Sequence, residues 1–262
     1  ETEYYDPRIG AGIASLIREN TSAIFLESPG SQTFEIQDVP AIVAAAQARN
    51  VPTILDNTWS AGVFFKPFDH GVDLSVQALT KYQGGHADLL VGAVLARTKA
   101  LADRVFQTHR DLGLSVAPDD AYNALRGMRT MSVRIARQAN SARQIAQRLS
   151  TLPQIARVLH PAMESHPDHA VWKRDFSGAS GLFAIILKPV GTARLHAMLE
   201  SLSLFSMGFS WGGFESLILP CDPQITRTAV PWKAEGPLVR LSIGLEHPDD
   251  LGADLERALA AL

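Results

Sequence analysis

Cysteine is almost absent: Cys221 stands alone among 262 residues, so no disulfide can form within the chain. With only Asp-Pro after it and no catalytic partner in view, that thiol is no candidate nucleophile either. Long apolar runs are missing, none reaching the ~18 residues a membrane-spanning helix needs. There is no excess of positive charge. The 24 Lys and Arg are set against 27 Asp and Glu, a net charge of −3, and they are scattered, which argues against a nucleic-acid or anionic-membrane partner. No Gly-x-Gly-x-x-Gly follows the first candidate strand, so a dinucleotide-binding reading has little support. His70, His86 and Asp88 fit no zinc spacing and read better as ordinary polar residues. Glu1 opens the chain without an initiator Met, and no targeting stretch is visible. The expectations are a cytoplasmic protein and an incompletely recorded N-terminus.

What is present is ample apolar material, 46% hydrophobic against 19% charged residues, enough for one large domain or two smaller ones. From residue 23, short apolar runs alternate with helical patterning: Ala23 to Leu26, a helix capped by Asp38 with Pro40 in its first turn and ending near Asn50, then Val51 to Leu55. Two further strands are expected around Asp73 to Leu79 and Leu89 to Leu95. Runs apolar on both faces suit a parallel sheet covered by helices, with ligands gathering beyond the carboxyl ends of its strands. Between about 118 and 150 the pattern becomes a long helix with a stripe of Met131, Val133, Ile135, Ala139, Ala142, Ile145 and Leu149. Strands at Ile155 to Leu159, Leu182 to Leu187 and Leu238 to Ile243, with helices from Thr192 to Glu200 and from Asp249, describe a smaller α+β unit. The expected division is a large domain over 1–127 and a small one over 128–262.

Two stretches carry residues suited to chemistry. Asp56 leaves a buried strand in Leu55-Asp56-Asn57-Thr58-Trp59, where the plain reading is a turn or helix cap. Lys81 ends the next candidate strand in Ala78-Leu79-Thr80-Lys81-Tyr82, just before Gly84, Gly85 and His86. A lysine so placed can bond to an aldehyde once its amine is partly desolvated, although a lysine read without context is a solvated surface residue. Both groups lie on one rim of one sheet, which permits a shared site without establishing it.

At these residues the chain resembles a known family. The segments ESPGSQTFEIQDVPAI, ILDNTW, SVQALTKYQGGHADLLVGAV, WKRDFSGASGLF and FSMGFSWGGFESLI are similar to the Cys/Met-metabolism group of fold-type I pyridoxal-phosphate (PLP) enzymes. The resemblance runs from about residue 6 to the end. TKY followed by a GH pair is shared across the group, whereas ESPGS and SWGG point to its β-lyases. The fold implied is α/β, part of an aminotransferase-like parallel-sheet domain followed by a smaller α+β domain. The cofactor implied is PLP, with Lys81 bonded to its aldehyde and acting as acid and base. Asp56 is implied as partner of the pyridine nitrogen and Thr80 as a phosphate ligand. Ala78 stands where many members carry a second phosphate hydroxyl, so other groups must hold most of the phosphate. Arg240 is implied as the grip on the substrate carboxylate, with Ser210 and Trp211 closing over it; apart from the resemblance, Arg240 reads as a strand-edge surface residue and Trp211 as simple packing.

The reaction implied is β-elimination from L-cystathionine or another cysteine S-conjugate, giving a thiol such as homocysteine with pyruvate and ammonia, in methionine biosynthesis. The alternatives are a γ-acting relative using the same residues, or a non-catalytic fragment that keeps the fold. Members are longer at the N-terminus and assemble as dimers of dimers, so an oligomer is implied, as is an exposed apolar face where further elements pack.

Overall fold

The computed structural model describes residues 1–262. A 3-10 turn at Gly10–Ser15 leads into β1 (Ile24–Glu27), α1 (Val39–Gln47) and β2 (Thr53–Asp56). After β3 (Leu74–Ala78) and β4 (Gly92–Ala96) come α2 (Lys99–Asp111) and the long α3 (Pro118–Leu149). The remainder is β5 (Ile155–Leu159), α4 (His169–Asp175), β6 (Leu182–Leu187), α5 (Thr192–Glu200), β7 (Ser206–Met207), β8 (Leu217–Pro220), β9 (Leu238–Ser242) and α6 (Pro248–Leu259).

The first sheet has the order β1-β2-β3-β4. Between β1 and β2, α1 starts where Asp38 accepts a hydrogen bond from the Ala41 N–H at 3.2 Å. The chain leaves the helix through Asn50, whose φ of 55° is one that Asn tolerates better than most residues. β1, β2 and β3 are parallel, but β4 runs antiparallel to β3, a departure from the uniformly parallel sheet expected. The reason is the connection: a parallel return needs a crossover, usually helical, whereas the stretch from Leu79 to Val91 folds back as a non-helical loop. Coverage also differs from expectation. Ile24, Leu26 and Leu55 bury one face together with the apolar side of α1, while on the other face Phe25 and Val94 remain 56% and 49% exposed. Phe106 on α2 and Tyr122 and Leu125 on α3 are exposed as well. The apolar face anticipated from the resemblance is therefore present.

The second sheet, β5-β6-β9-β8-β7, is covered on both sides. Phe183, Ile185, Val239 and Leu241 face α5, α6 and the second half of α3, while Leu182, Ala184 and Leu238 pack toward the first sheet. Every residue of β6 and β9 is buried, hence the unbroken apolar run LFAIIL. The 127/128 boundary read from sequence lies inside α3. Along that helix Ile135, Ala142, Ile145 and Leu149 are buried as expected, but Val133 is 73% exposed; the buried stripe passes instead through Arg134, Gln138 and Ser141.

Asp168 ties the N-terminal segment to this second unit. Its carboxylate pairs with Arg8 at 2.7 and 2.8 Å and accepts from the Ile36 N–H at 3.1 Å. Beside it His166, and His160 nearby, are buried without charge; burial first, and for His160 the neighbouring His166 next, pushes each down to about 4. The unfolded chain binds protons at these histidines near pH 6.5 and the folded chain does not until about 4. Stability is thus unaffected above the unfolded value and falls as pH drops from there toward 4, by about 2 kcal/mol per histidine at pH 5. Urea titrations at pH 7 and pH 5 check this: the expected loss shrinks in His160→Gln, and equal midpoints at the two pH values contradict it.

Candidate functional site

β2 delivers Asp56 to the carboxyl end of the first sheet, next to Glu27 on β1, its partner in the ladder. One oxygen of Asp56 accepts from the Thr58 N–H at 2.9 Å, a turn-type bond that fixes the carboxylate and leaves its second oxygen without a bond to the protein. Burial first, and then the Asp56 charge, raises the Glu27 carboxyl above its usual range, while Glu27 accepts from the Ser31 N–H at 3.2 Å.

Lys81 follows β3 at the start of the loop that turns the chain back into β4. Its Nζ donates to Ser210 Oγ at 2.9 Å and lies 5.2 Å from the centre of the Trp211 ring. The amine is held below the ordinary lysine value, mainly by burial and next by the positive charge of Arg240, with Asp56 acting in the opposite sense. All three groups therefore share one electrostatic environment. The next residue, Tyr82, is wholly buried; its hydroxyl accepts from the Gly181 N–H at 3.0 Å, and its ring lies 5.6 Å from that of Trp211.

Arg240 sits on β9, where Leu238, Arg240 and Ser242 face the first sheet and Val239 and Leu241 face the helices. It is 5% exposed in an interior strand, which excludes the strand-edge surface reading. Nη1 donates to Ser31 O at 3.2 Å and Nη2 to Phe209 O at 2.6 Å. Three of its five N–H groups stay available, enough for a bidentate grip on a carboxylate. Ser210 and Trp211 occupy the segment between β7 and β8, with Ser210 exposed and Trp211 buried. Gly212, at φ +81°, packs so closely that an added Cβ would lie 3.1 Å from Tyr82 N. The glycine lets the SWGG segment lie directly across Lys81.

The Thr80 hydroxyl donates to Val91 O at 3.2 Å and accepts from the Val91 N–H at 3.0 Å, closing the loop around Lys81. Cys221 is fully buried, with its thiol pushed up by burial, and no group of His, Cys, Asp or Glu is arranged to hold a metal ion. Clefts of about 740 and 540 Å³ both border Glu27, but Lys81 and Arg240 line neither. Sequence reasoning used Glu27 and Ser31 only as the ends of ESPGS, with no role assigned to either, and missed Arg134 and Gln138, whose contacts to backbone carbonyls no motif announces.

The donor set fits PLP at two of its ends: an amine of reduced basicity for the aldehyde and a carboxylate with a free oxygen for the ring nitrogen. Residues 1–260 match the family profile described as Cys/Met metabolism PLP-dependent enzyme. The chain belongs to that family. Among relatives of the Cys/Met metabolism family, the Escherichia coli cystathionine β-lyase is 43% identical over 100% of this chain and 67% of its own length. An L-alanine/L-glutamate racemase of Wolbachia pipientis is 40% identical over 100% of this chain and 65% of its own. The solved cystathionine γ-lyase of Lactobacillus plantarum superposes with a TM-score of 0.88 at 31% identity, covering 96% of this chain and 67% of that one. The chain spans about two thirds of the length of the relatives it matches.

Proposed function

We propose that this chain is the part of a PLP-dependent carbon-sulfur lyase that carries the reactive lysine, and that the reaction is β-elimination from cystathionine or a similar cysteine S-conjugate. The observation that carries the reading is Lys81, an amine of lowered basicity set between Asp56, Arg240 and Ser210. When bound, PLP supplies an aldehyde for the substrate amine and a ring that takes up the electron pair left at Cα. Asp56, through its free carboxylate oxygen, holds the proton on the ring nitrogen. Arg240 clamps the substrate carboxylate with its free N–H groups, and so orients the Cα–H bond for removal. Lys81 Nζ takes that proton and returns one to the departing sulfur, with Ser210 holding the amine in place between the two transfers. Hydrolysis then gives pyruvate and ammonia. Thr80, next to Lys81, is the proposed hydroxyl donor to the phosphate, with other groups holding the rest.

In the cofactor-free protein the Lys81 amine is held below the ordinary lysine value, so the pH profile of its bonding to added PLP is expected to lie below that of an ordinary lysine. The expected profile rises with pH and levels off before an ordinary lysine would titrate; a limb still rising above pH 10 contradicts it.

Incubation with L-cystathionine and PLP tests the reaction. Pyruvate with homocysteine is the result expected, and 2-oxobutyrate with cysteine replaces the β reading by a γ one. A second reading, exchange of the Cα proton with no group lost, is favoured by the 40% identity to a racemase; D-alanine formed from L-alanine, without pyruvate from cystathionine, supports that instead. The exposed apolar residues Phe25, Val94 and Phe106 support the reading that a further segment or subunit covers this face in the assembled enzyme.

A further inference from the structure

The two segments that meet at the site, one bearing Lys81 and the other Ser210 and Trp211, both rest on α3, and they do so through buried polar side chains one helical turn apart. Arg134 is 7% exposed and has no carboxylate partner. Its Nη2 donates to Gly127 O at 2.7 Å and, more weakly, to Gln83 O at 3.4 Å, and its Nε to Thr130 Oγ1 at 3.1 Å. Gln83 lies two residues past Lys81. Gln138, 1% exposed, donates from Nε2 to Gly213 O at 2.6 Å, two residues past Trp211. Burying an arginine without a counter-charge is costly, so its retention here asks for a reason beyond packing.

The glycines around this face are cut to fit it. A Cβ on Gly127 would stand 2.2 Å from Gln83 O, and one on Gly85 would stand 1.8 Å from Arg134 Nη1. The helix thus touches the backbone of the loop directly, with the guanidinium filling the space that Gly85 leaves. At the other end, Lys81 Nζ depends on Ser210 Oγ for its hydrogen bond. The relative placement of the two segments decides whether that contact exists.

We infer that Arg134 and Gln138 are positioning residues that set Lys81 against Ser210 and Trp211 from behind, by fastening both segments to one face of α3. This rests on the proposal that Lys81 is the reactive amine, but its consequence is physical and requires no turnover. With the clamp loosened, Lys81 loses its Ser210 contact and gains water, so its amine moves toward ordinary lysine behaviour.

The test is the pH profile of reductive methylation at Lys81 in the intact, cofactor-free protein, followed by peptide mass spectrometry. Arg134→Met and Gln138→Leu are each expected to move the Lys81 midpoint up by about one unit, a tenfold drop in the free-amine fraction at a fixed pH below it. Gln138→Leu changes no charge, so a shift there reports position alone. Arg134→Lys, which keeps the charge and one donor, is expected to restore part of the shift. The double variant is expected to fall short of the sum, because both act on one contact. Arg148→Met, which breaks the ion pair with Glu256 further along the same helix, serves as a control that lowers stability and leaves Lys81 unmoved. The inference is overturned if Arg134→Met and Gln138→Leu move the Lys81 midpoint no more than Arg148→Met does. Absence of pyruvate formation in the unaltered protein would overturn the proposed reaction and leave this result standing.

Discussion

Lys81→Ala is expected to lower product formation from cystathionine by at least about 10⁴-fold, with the protein still folded. The size follows from what is removed: one amine serves as the bond to the cofactor aldehyde, the acceptor of the Cα proton and the donor to the leaving sulfur. Groups that act as a unit are lost together, so no second residue compensates. Folding is not at stake, because the side chain is only half buried and its one hydrogen bond goes to an exposed serine. Rates measured beside thermal melts check the separation. A variant that retains a tenth of the activity contradicts the assignment, whereas one that is inactive and also unfolded calls for Lys81→Arg, which keeps the charge and cannot make the cofactor bond.

The second large effect is expected at Arg240. Arg240→Met removes the proposed partner of the substrate carboxylate and leaves the Ser31 and Phe209 carbonyls without their donor. A fall in kcat/KM of about 10² to 10³-fold is expected, in line with the few kcal/mol that one lost half of a buried, charge-assisted contact costs. Arg240→Lys is expected to rescue little, since an ammonium cannot hold two carbonyls and a bidentate carboxylate at once. The Arg240 charge also helps to depress the free Lys81 amine, so its removal moves the pH profile of PLP bonding toward higher pH. Steady-state kinetics and PLP titrations across pH separate the two effects. An unchanged KM for cystathionine in Arg240→Met contradicts the carboxylate role.

Much of this arrangement is legible in the sequence. Arg240 was legible only through the resemblance, since its residues alone read as a strand-edge surface position, whereas the strand ends at Asp56 and before Lys81 fall where a parallel sheet exposes its ligands. Helix α1 could be bounded by Asp38 and Asn50 because caps act locally. What was not legible depends on tertiary contact. The polar side chains of Arg134 and Gln138 are buried because backbone carbonyls, that of Gln83 for Arg134 and that of Gly213 for Gln138, receive them from loops distant in sequence. Val133 matches a hydrophobic pattern and faces outward, since an apolar residue next to a stripe is indistinguishable in composition from one within it. The direction of β4 likewise depends on how the loop after Lys81 folds back, a non-local arrangement that strand propensity does not contain.

Borohydride reduction of the PLP-loaded protein, which fixes the cofactor to the amine that holds it, followed by peptide mapping, tests the assignment of Lys81 most directly. The result expected is a single modified peptide containing Thr80-Lys81-Tyr82, with no label elsewhere and none after Lys81→Ala. Label on another lysine, or no label at all, would contradict the assignment of Lys81 and with it the site built around Asp56, Arg240 and Ser210.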